Sequence, residues 1–349
     1  MPSSLPTQES NGAAAPDGPR RVPLTEGDRK NASYSVPNLQ MALEGLHQDG
    51  MVILRDIVDP EHCDRVYQHM IADRDRILET RHKGESTYNQ GVKSNILQCA
   101  PFTKPGLLYD DFYFNPFVIQ VMNAYLGEKP KWVMTTGNNA LKGTGGLRQP
   151  VHKDTRFRHP KCPFLVIANT ALVDFTMENG ATEFWLGTHA YSDETCQTVI
   201  SPESIKHDES VKKPQKVGNP ACPIRPEAVE ARRLIRPPIQ ATMKKGDVML
   251  RDFRCWHAGM PNNTEQDRIM VAQAWMAPWY PNYEVRMKIP ISQAPYFLGK
   301  GRKMEVVCDL VTDEEVENFQ HWDNFAFDPT HFLDYYNTTT KNYRYPFQY

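Results

Sequence analysis

Between residues 131 and 276 the chain is cut into short β-type runs by turn residues, and this pattern restricts the fold more than any other feature. The runs cover 132–136, 164–167, 170–173, 182–186, 239–242, 248–250 and 268–276, with Gly180, Gly187, Gly246 and Pro261-Asn262-Asn263 between them. Short runs rich in branched and aromatic residues, separated by turns and not by amphipathic helices, predict an antiparallel sandwich or barrel instead of alternating βαβ units.

The chain before this region reads differently. Residues 1–33 lack apolar periodicity and are expected to form a disordered or loosely packed arm. Apolar spacing predicts a helix over 36–47 that stops near Gly50, a strand at 51–54 and a helix over 60–81 with Pro60 in its first turn. A strand is expected at 94–98, and the aromatic-rich stretch 107–126 predicts one or two helices over a hydrophobic surface. One domain over 34–300 follows, with helical N-terminal support at 34–130 and a β core at 131–280. A polar, Pro-rich insertion spans about 192–238, and 301–349 is a C-terminal extension ending in an aromatic tail. The insertion and the tail raise the prospect of a homodimer.

Composition narrows the function classes. A net charge of −2 offers no bulk attraction to nucleic acid or to an anionic membrane. No run of ~18 apolar residues exists to span a bilayer. Seven cysteines, odd in number and without Cys-x-x-Cys, argue against a disulfide framework or a cysteine-zinc site. A cytoplasmic protein acting on a small molecule is expected.

His-x-Asp occurs three times, at 47–49, 152–154 and 321–323. On the helix expected for the first copy, residues two apart do not face each other, so His47 and Asp49 are poorly placed to chelate one ion. The third copy is followed by His331 after only eight residues, too few for intervening strands. In an extended segment, His152 and Asp154 share a face while Lys153 points away. Imidazole plus carboxylate without thiolate suits Fe(II), and two histidines with one carboxylate leave positions open for an oxidant and a chelating co-substrate. His257, 103 residues beyond Asp154, is the candidate third ligand. A turn centred on Asn262-Asn263 would set His257 opposite Arg268 and turn Arg268 inward beside the metal. A guanidinium in an apolar pocket calls for an anion, best a carboxylate held bidentately. A dicarboxylate that chelates iron at one end and meets Arg268 at the other accounts for both halves, and 2-oxoglutarate is such a molecule.

Further motifs carry a family resemblance. Residues 174–182 (Asp-Phe-Thr-Met-Glu-Asn-Gly-Ala-Thr) are similar to the Asn-Gly turn of the phytanoyl-CoA dioxygenase family of Fe(II)/2-oxoglutarate oxygenases. Leu186-Gly187-Thr188-His189 resembles its Pro-Gly-Ser-His motif with leucine in place of proline, and Lys245-Gly246-Asp247 matches its turn before the distal strands. His257 and Arg268 stand at the family's spacing of eleven, and the resemblance covers roughly 38–280. It implies a cupin-like double-stranded β-helix, or jelly-roll, with flanking helices. It also implies iron on His152, Asp154 and His257, the distal carboxylate of 2-oxoglutarate on Arg268, and Gln149 near the C1 carboxylate as in fungal members. Asn95 or Gln98 is expected on the strand that supplies another polar contact. Halogenating relatives lack the carboxylate ligand, so Asp154 implies oxygenation, with O2 consumed and succinate and CO2 released. Hydroxylation is the default outcome; desaturation, epoxidation and rearrangement use the same cofactors. The expected substrate is a small hydrophobic metabolite of a fungal-type secondary pathway.

Plainer readings cover the remaining residues. His189 is expected to be a structural turn residue, and Arg156, Arg158, His159 and Lys161 a solvated basic loop. The alternative to an enzyme is a cupin-like binding or subunit protein that keeps the fold without turnover. An intact triad together with Arg268 favours the enzyme, because unpaired buried charge is costly to keep.

Overall fold

The computed structural model describes residues 18–80, 95–143, 148–155, 159–192, 194–197, 223–281, 286–299 and 302–318. The N-terminal part contributes β1 (Arg20–Val22), α1 (Glu26–Asn31), α2 (Val36–Glu44), β2 (Met51–Leu54), α3 (Pro60–Thr80) and β3 (Asn95–Gln98). After α4 (Asp110–Tyr113) and α5 (Pro116–Leu126) come β4 (Lys131–Ala140), β5 (Leu165–Ala171) and β6 (Glu183–Trp185). Helices α6 (Thr188–Tyr191) and α7 (Pro226–Ile235) precede β7 (Ile239–Gln240), β8 (Val248–Asp252), β9 (Trp256–Ala258) and β10 (Arg268–Met276). The last strands are β11 (Met287–Pro290), β12 (Glu305–Val306) and β13 (Cys308–Val311). No described helix is long and apolar enough to cross a membrane.

The large sheet is mixed and eight-stranded, ordered β1-β2-β8-β5-β10-β4-β12, with β3 also paired to β4. Three short strands, ordered β7-β6-β9, form a second sheet. Strand alternation gives the large sheet two faces. One carries Val52, Leu54, Trp132, Ile269, Val271 and Trp275 into a core shared with Val66 and Met70 of α3 and with Phe112, Phe117, Val121 and Met122 of α4 and α5. Burial of each such side chain contributes roughly 1.5–3 kcal/mol, which makes the helical layer the main anchor of the sheet. The other face carries Met51, Ile53, Ala171, Met249 and Met270 into a smaller cluster with Phe184 of the second sheet and Leu186 just beyond it. The candidate site borders this inner cluster.

The helices start where local chemistry satisfies their free backbone donors. Asn115 accepts from the amides of Phe117 and Val118, and Pro116 follows where no donor is needed. The helix begun at α2 runs on as a π turn over Gly45–Asp49 and ends at Gly50 with φ +78°.

Three expectations need correction. The arm expected over 1–33 is built into the fold from residue 18 onward: β1 pairs in parallel with β2, and Thr25 and Asp28 form a capping box on α1. Short polar runs gave no periodicity, yet β1 finds an edge and holds Arg20 2.7 Å from the buried Asp49. Second, the runs 164–167 and 170–173 are one strand, β5, because its fully buried residues need no turn between them. Third, His257 and Arg268 are not hairpin partners. β9 pairs with β6 in the small sheet, whereas β10 pairs with β4 and β5 in the large one, so the chain changes sheets around Asn262-Asn263. There Asn262 donates to Ala140 and Gln266 carbonyls and accepts from Thr264, which makes a cornering loop instead of a tight turn. The insertion is described only at its ends, and residues 198–222 and 319–349, on which the dimer expectation rested, lie outside the described residues.

Gly50 is where this layering is tightest. A Cβ there would lie 2.6 Å from Nδ1 of His189, whose Nε2 is held 3.2 Å from the carbonyl of His47. Gly50→Ala is therefore expected to cost about 1–3 kcal/mol, from the left-handed backbone and the displaced imidazole together. Thermal denaturation should show a midpoint several degrees lower; an unchanged midpoint would mean that His189 swings away freely.

Candidate metal centre

Two extended segments meet at the site. His152 bridges His257 antiparallel, with His152 N donating to His257 O at 2.9 Å and His257 N to His152 O at 2.8 Å. One step along, Gln149 N donates to Gly259 O, and Gly259 N donates back to Gln149 Oε1, each at 2.9 Å. On the other side of His152 the chain returning from the insertion adds a bridge from Pro223, with Ile224 N on Val151 O at 2.8 Å. The segment 149–154 is therefore held on both sides although it belongs to neither sheet.

This brings His152, Asp154 and His257 together, all buried, with one ligand atom from each within 4.8 Å of the others. Oδ1 of Asp154 lies 3.8 Å from His152 Nε2 and 3.6 Å from His257 Nε2. Nδ1 of His152 sits 2.9 Å from Pro150 O, and Nδ1 of His257 3.1 Å from Cys255 O. A carbonyl only accepts, so each Nδ1 carries a proton, and a neutral ring held in this way presents the Nε2 lone pair to the centre. That is the tautomer a metal requires. Lys153 points away, fully buried, with Nζ 3.3 Å from His159 Nε2.

Charge at the cluster follows from burial and from Arg251. Burial alone would raise the Asp154 pKa, but the Arg251 guanidinium and the two imidazoles reverse this and hold it well below the usual carboxylate range. Burial, with Arg251 adding to it and Asp154 opposing, pulls the His257 imidazole down to about 3. At neutral pH the site thus presents the neutral His257 imidazole and the Asp154 carboxylate beside His152, a donor set that fits iron(II).

Arg268 lies on the inner face of the large sheet, 2 % exposed. Its Nε donates to Asn179 O at 3.3 Å, and its guanidinium stands 4.9 Å over the Phe175 ring. Its Nη1 is buried without a hydrogen-bond partner, and it makes no ion pair among the described residues. Burial pulls its pKa down to about 10, still protonated at neutral pH. The Asn-Gly turn presents the Asn179 carbonyl. Asn179 Oδ1 accepts from Thr176 N at 2.8 Å, and its Nδ2 donates to Asp174 O at 2.7 Å. Gly180 has φ +80°, and a Cβ there would meet Met260 O at 2.5 Å. Phe175 below Arg268 and Phe184 stacked on His257 belong to one apolar cluster, so both halves of the constellation border the same interior.

The two other polar candidates separate by face. Register runs Asn95↔Ala140↔Arg268, which puts Asn95 on the inner face, where its amide meets that of Asn138. Gln98 faces the helices instead, donating to Met70 O at 2.8 Å and accepting from Asn139 at 3.1 Å, so it does not reach the site. One position of offset along a strand decides this. Sequence reasoning missed Arg251, inward on β8 with Nη2 2.7 Å from Asp154 Oδ2, and Asn169, inward on β5 with a buried unpartnered Oδ1. Both residues lie just outside the β-type runs read from the sequence, Arg251 directly after 248–250 and Asn169 between 164–167 and 170–173. His159, expected in a solvated loop, is buried against Phe164, while Arg156 and Arg158 lie outside the described residues. Of the other His-x-Asp copies, Asp49 is clamped by Arg20 and Arg236 at 2.7 and 2.8 Å, and 321–323 lies outside the described residues.

The lowered His257 pKa has a sign that can be tested on metal-free protein. A group depressed from 6.5 to about 3 contributes stability that is complete above 6.5 and lost as pH falls toward 3. The His257 imidazole resonance, identified by its loss in His257→Ala, should keep its neutral shift from about pH 7.5 to about pH 5. A titration midpoint near the ordinary histidine value would overturn this account of its burial.

Comparison with known proteins agrees with this geometry. The family model of phytanoyl-CoA dioxygenase (PhyH) matches residues 46–270, more than half of the chain. A crystal structure of the epimerase SnoN in complex with Fe3+, alpha ketoglutarate and nogalamycin RO superposes with a TM-score of 0.50 at 16 % identity, over 80 % of this chain and 98 % of SnoN. AviO1 from Streptomyces viridochromogenes Tue57 is a weaker match, with a TM-score of 0.46 at 16 % identity over 71 % of this chain and 99 % of its own. The iron and 2-oxoglutarate expected from the sequence are the cofactors of this family, and the His–Asp–His cluster fits them. The chain belongs to the phytanoyl-CoA dioxygenase family.

Proposed function

We propose that this protein is a 2-oxoglutarate-dependent dioxygenase that oxidises a small hydrophobic metabolite, with a double-stranded β-helix as its core. The observation that carries the reading is the pairing of a buried His152–Asp154–His257 cluster with Arg268, a buried cation lacking an anionic partner among the described residues. A buried, unpaired guanidinium costs several kcal/mol, and a carboxylate from a bound ligand removes that cost. A binding protein without turnover has no need of both features.

In this reading His152, Asp154 and His257 hold iron, and Arg268 receives the distal carboxylate of 2-oxoglutarate. Iron with 2-oxoglutarate and O2 supplies the oxidising power, with succinate and CO2 as by-products. The protein's own part is orientation and exclusion of water. Pro150 O and Cys255 O fix the imidazole tautomers, and Gln149 ties the His152 segment to Gly259 through its Oε1. Gln149 therefore acts on the geometry of the site, beside the co-substrate contact proposed for it. Asn95, on the inner face, remains a candidate polar contact; Gln98 does not.

The inner face supports an apolar substrate with a few polar anchors. Register places Ile167, Met134, Met270, Ala272 and Ala274 there beside Thr136, Asn138 and Asn169. Such a lining suits a compact hydrophobic molecule with one or two hydrogen-bonding groups. Placement in natural-product metabolism rests on the likeness to fungal family members and on SnoN, which acts in nogalamycin biosynthesis.

Two measurements test the reading. Anaerobic addition of Fe(II) and 2-oxoglutarate should produce a weak visible charge-transfer band that His257→Ala lacks; no band in wild type, or the same band in the variant, would sink the enzyme assignment. Arg268→Leu should raise the KM for 2-oxoglutarate roughly 30-fold or more, since truncating one member of a buried charge pair costs about 2–5 kcal/mol. An unchanged KM would remove Arg268 from the co-substrate site.

A further inference from the structure

Asp154 has two carboxylate oxygens, and the fold treats them differently. Oδ1 faces Nε2 of both histidines, at 3.8 and 3.6 Å. Oδ2 turns to Arg251, whose Nη2 lies 2.7 Å away. Arg251 stands on the inner face of β8, opposite Ile167 on one side and Met51 on the other, in a strand whose next inward residue is Met249. Both neighbours in register are apolar, and Asp154 is the partner of its ion pair among the described residues. Its Nη1 is buried without a hydrogen-bond partner. For packing alone, a second methionine would serve this position without the cost of burying a guanidinium. The long arginine reaches across the inner space to one oxygen of one site residue.

We infer that Arg251 is a positioning residue of the metal centre: by occupying Oδ2 of Asp154 it keeps this carboxylate a one-oxygen ligand and leaves the remaining positions on the metal to co-substrate and O2. The inference rests on the metal reading of the triad. A free carboxylate next to a divalent ion can close onto it with both oxygens, as flexible carboxylate ligands do elsewhere. A charge-assisted hydrogen bond of 2.7 Å to the outer oxygen opposes that closure and also fixes the rotation of the group. Partners of this kind orient metal ligands, and their loss typically changes metal affinity or activity ~10–100-fold. Arg251 differs in this from Arg268, which makes no ion pair among the described residues and receives its anion from the co-substrate in the proposed reading. The inner face of the sheet thus carries two buried arginines with separate duties, one for a metal ligand and one for the co-substrate.

Cobalt(II), whose d–d absorption reports coordination number, tests this on the whole protein without turnover. Wild type, Arg251→Met and Arg251→Lys are each titrated with Co(II) in the absence of O2, with thermal denaturation of the metal-free proteins in parallel. Arg251→Met should change the band intensity and position toward higher coordination and shift the Co(II) Kd ~10–100-fold. Arg251→Lys, which can still donate to Oδ2, should recover much of the wild-type spectrum. In an Asp154→Ala background, Arg251→Met should leave the Co(II) spectrum unaltered. A folded Arg251→Met with wild-type spectrum and affinity overturns the proposal even if its thermal midpoint falls, because a purely structural arginine would lower stability alone. If Arg251→Met does not fold, Arg251→Gln takes its place, and a wild-type spectrum there overturns the proposal equally. A wild type that takes up no Co(II) overturns the metal reading and this inference together, whereas uptake by wild type beside an indifferent Arg251 variant overturns this inference alone.

Discussion

The pair of backbone hydrogen bonds between His152 and His257 is the constraint on which the site depends. It joins a segment that belongs to no sheet to β9, at the edge of the small sheet, and makes two residues more than a hundred positions apart direct neighbours. Asp154 then follows from strand geometry, two residues on and on the same side as His152. Gln149 and Gly259 repeat the tie one step away, and Ile224 adds another from the far end of the insertion. Because the tie between His152 and His257 uses backbone groups alone, it does not consume the imidazoles that face Asp154. The carbonyls of Pro150 and Cys255 orient the imidazoles from the same short stretches of chain.

Around that junction the molecule divides its labour by sheet face. The helical face of the large sheet is packed with aromatic and branched side chains that stabilise the fold, while the inner face mixes alanines and methionines with arginine and asparagine. Small side chains such as Ala272 and Ala274 alternate on this face with polar ones such as Asn138 and Asn169 on the neighbouring strands. Unpartnered buried atoms on Arg268, Arg251, Asn95 and Asn169 sit on this face. Unsatisfied polar groups cost stability wherever they occur, and these four stand on the face that borders the His–Asp–His cluster, where a bound ligand could satisfy them.

Much of the site was legible because its local chemistry repeats known backbone rules. Alternation along an extended segment put His152 and Asp154 together, and a lone arginine in the apolar run 268–276 demanded an anion. The inward position of Arg268 was right while the route to it was wrong: the loop around Asn262 corners between sheets, so β9 and β10 never pair. Asn95 and Gln98 illustrate the same limit. Their spacing of three puts them on opposite faces, but which face meets the helices depends on how β3 docks on β4, which no local pattern encodes. Arg251 was invisible for a related reason. Its partner is 97 residues away in sequence, and a charged residue at the end of a β-type run reads equally well as facing solvent.

By itself the sequence determined the class of the molecule: short strands with turn chemistry between them, a helical N-terminal half, and a His-x-Asp copy in an extended context with a distant histidine and arginine. Those features are local or depend only on order along the chain, so period and spacing suffice to read them. Tertiary structure alone decided that residues 20–22 close the edge of the large sheet, that Gln98 turns away, and that Asp49 of the first His-x-Asp copy is spent on Arg20 and Arg236. It also decided that one oxygen of Asp154 belongs to Arg251. Each of these depends on which faces and edges meet across long stretches of chain, and that is settled by packing the whole core at once rather than by any segment of it.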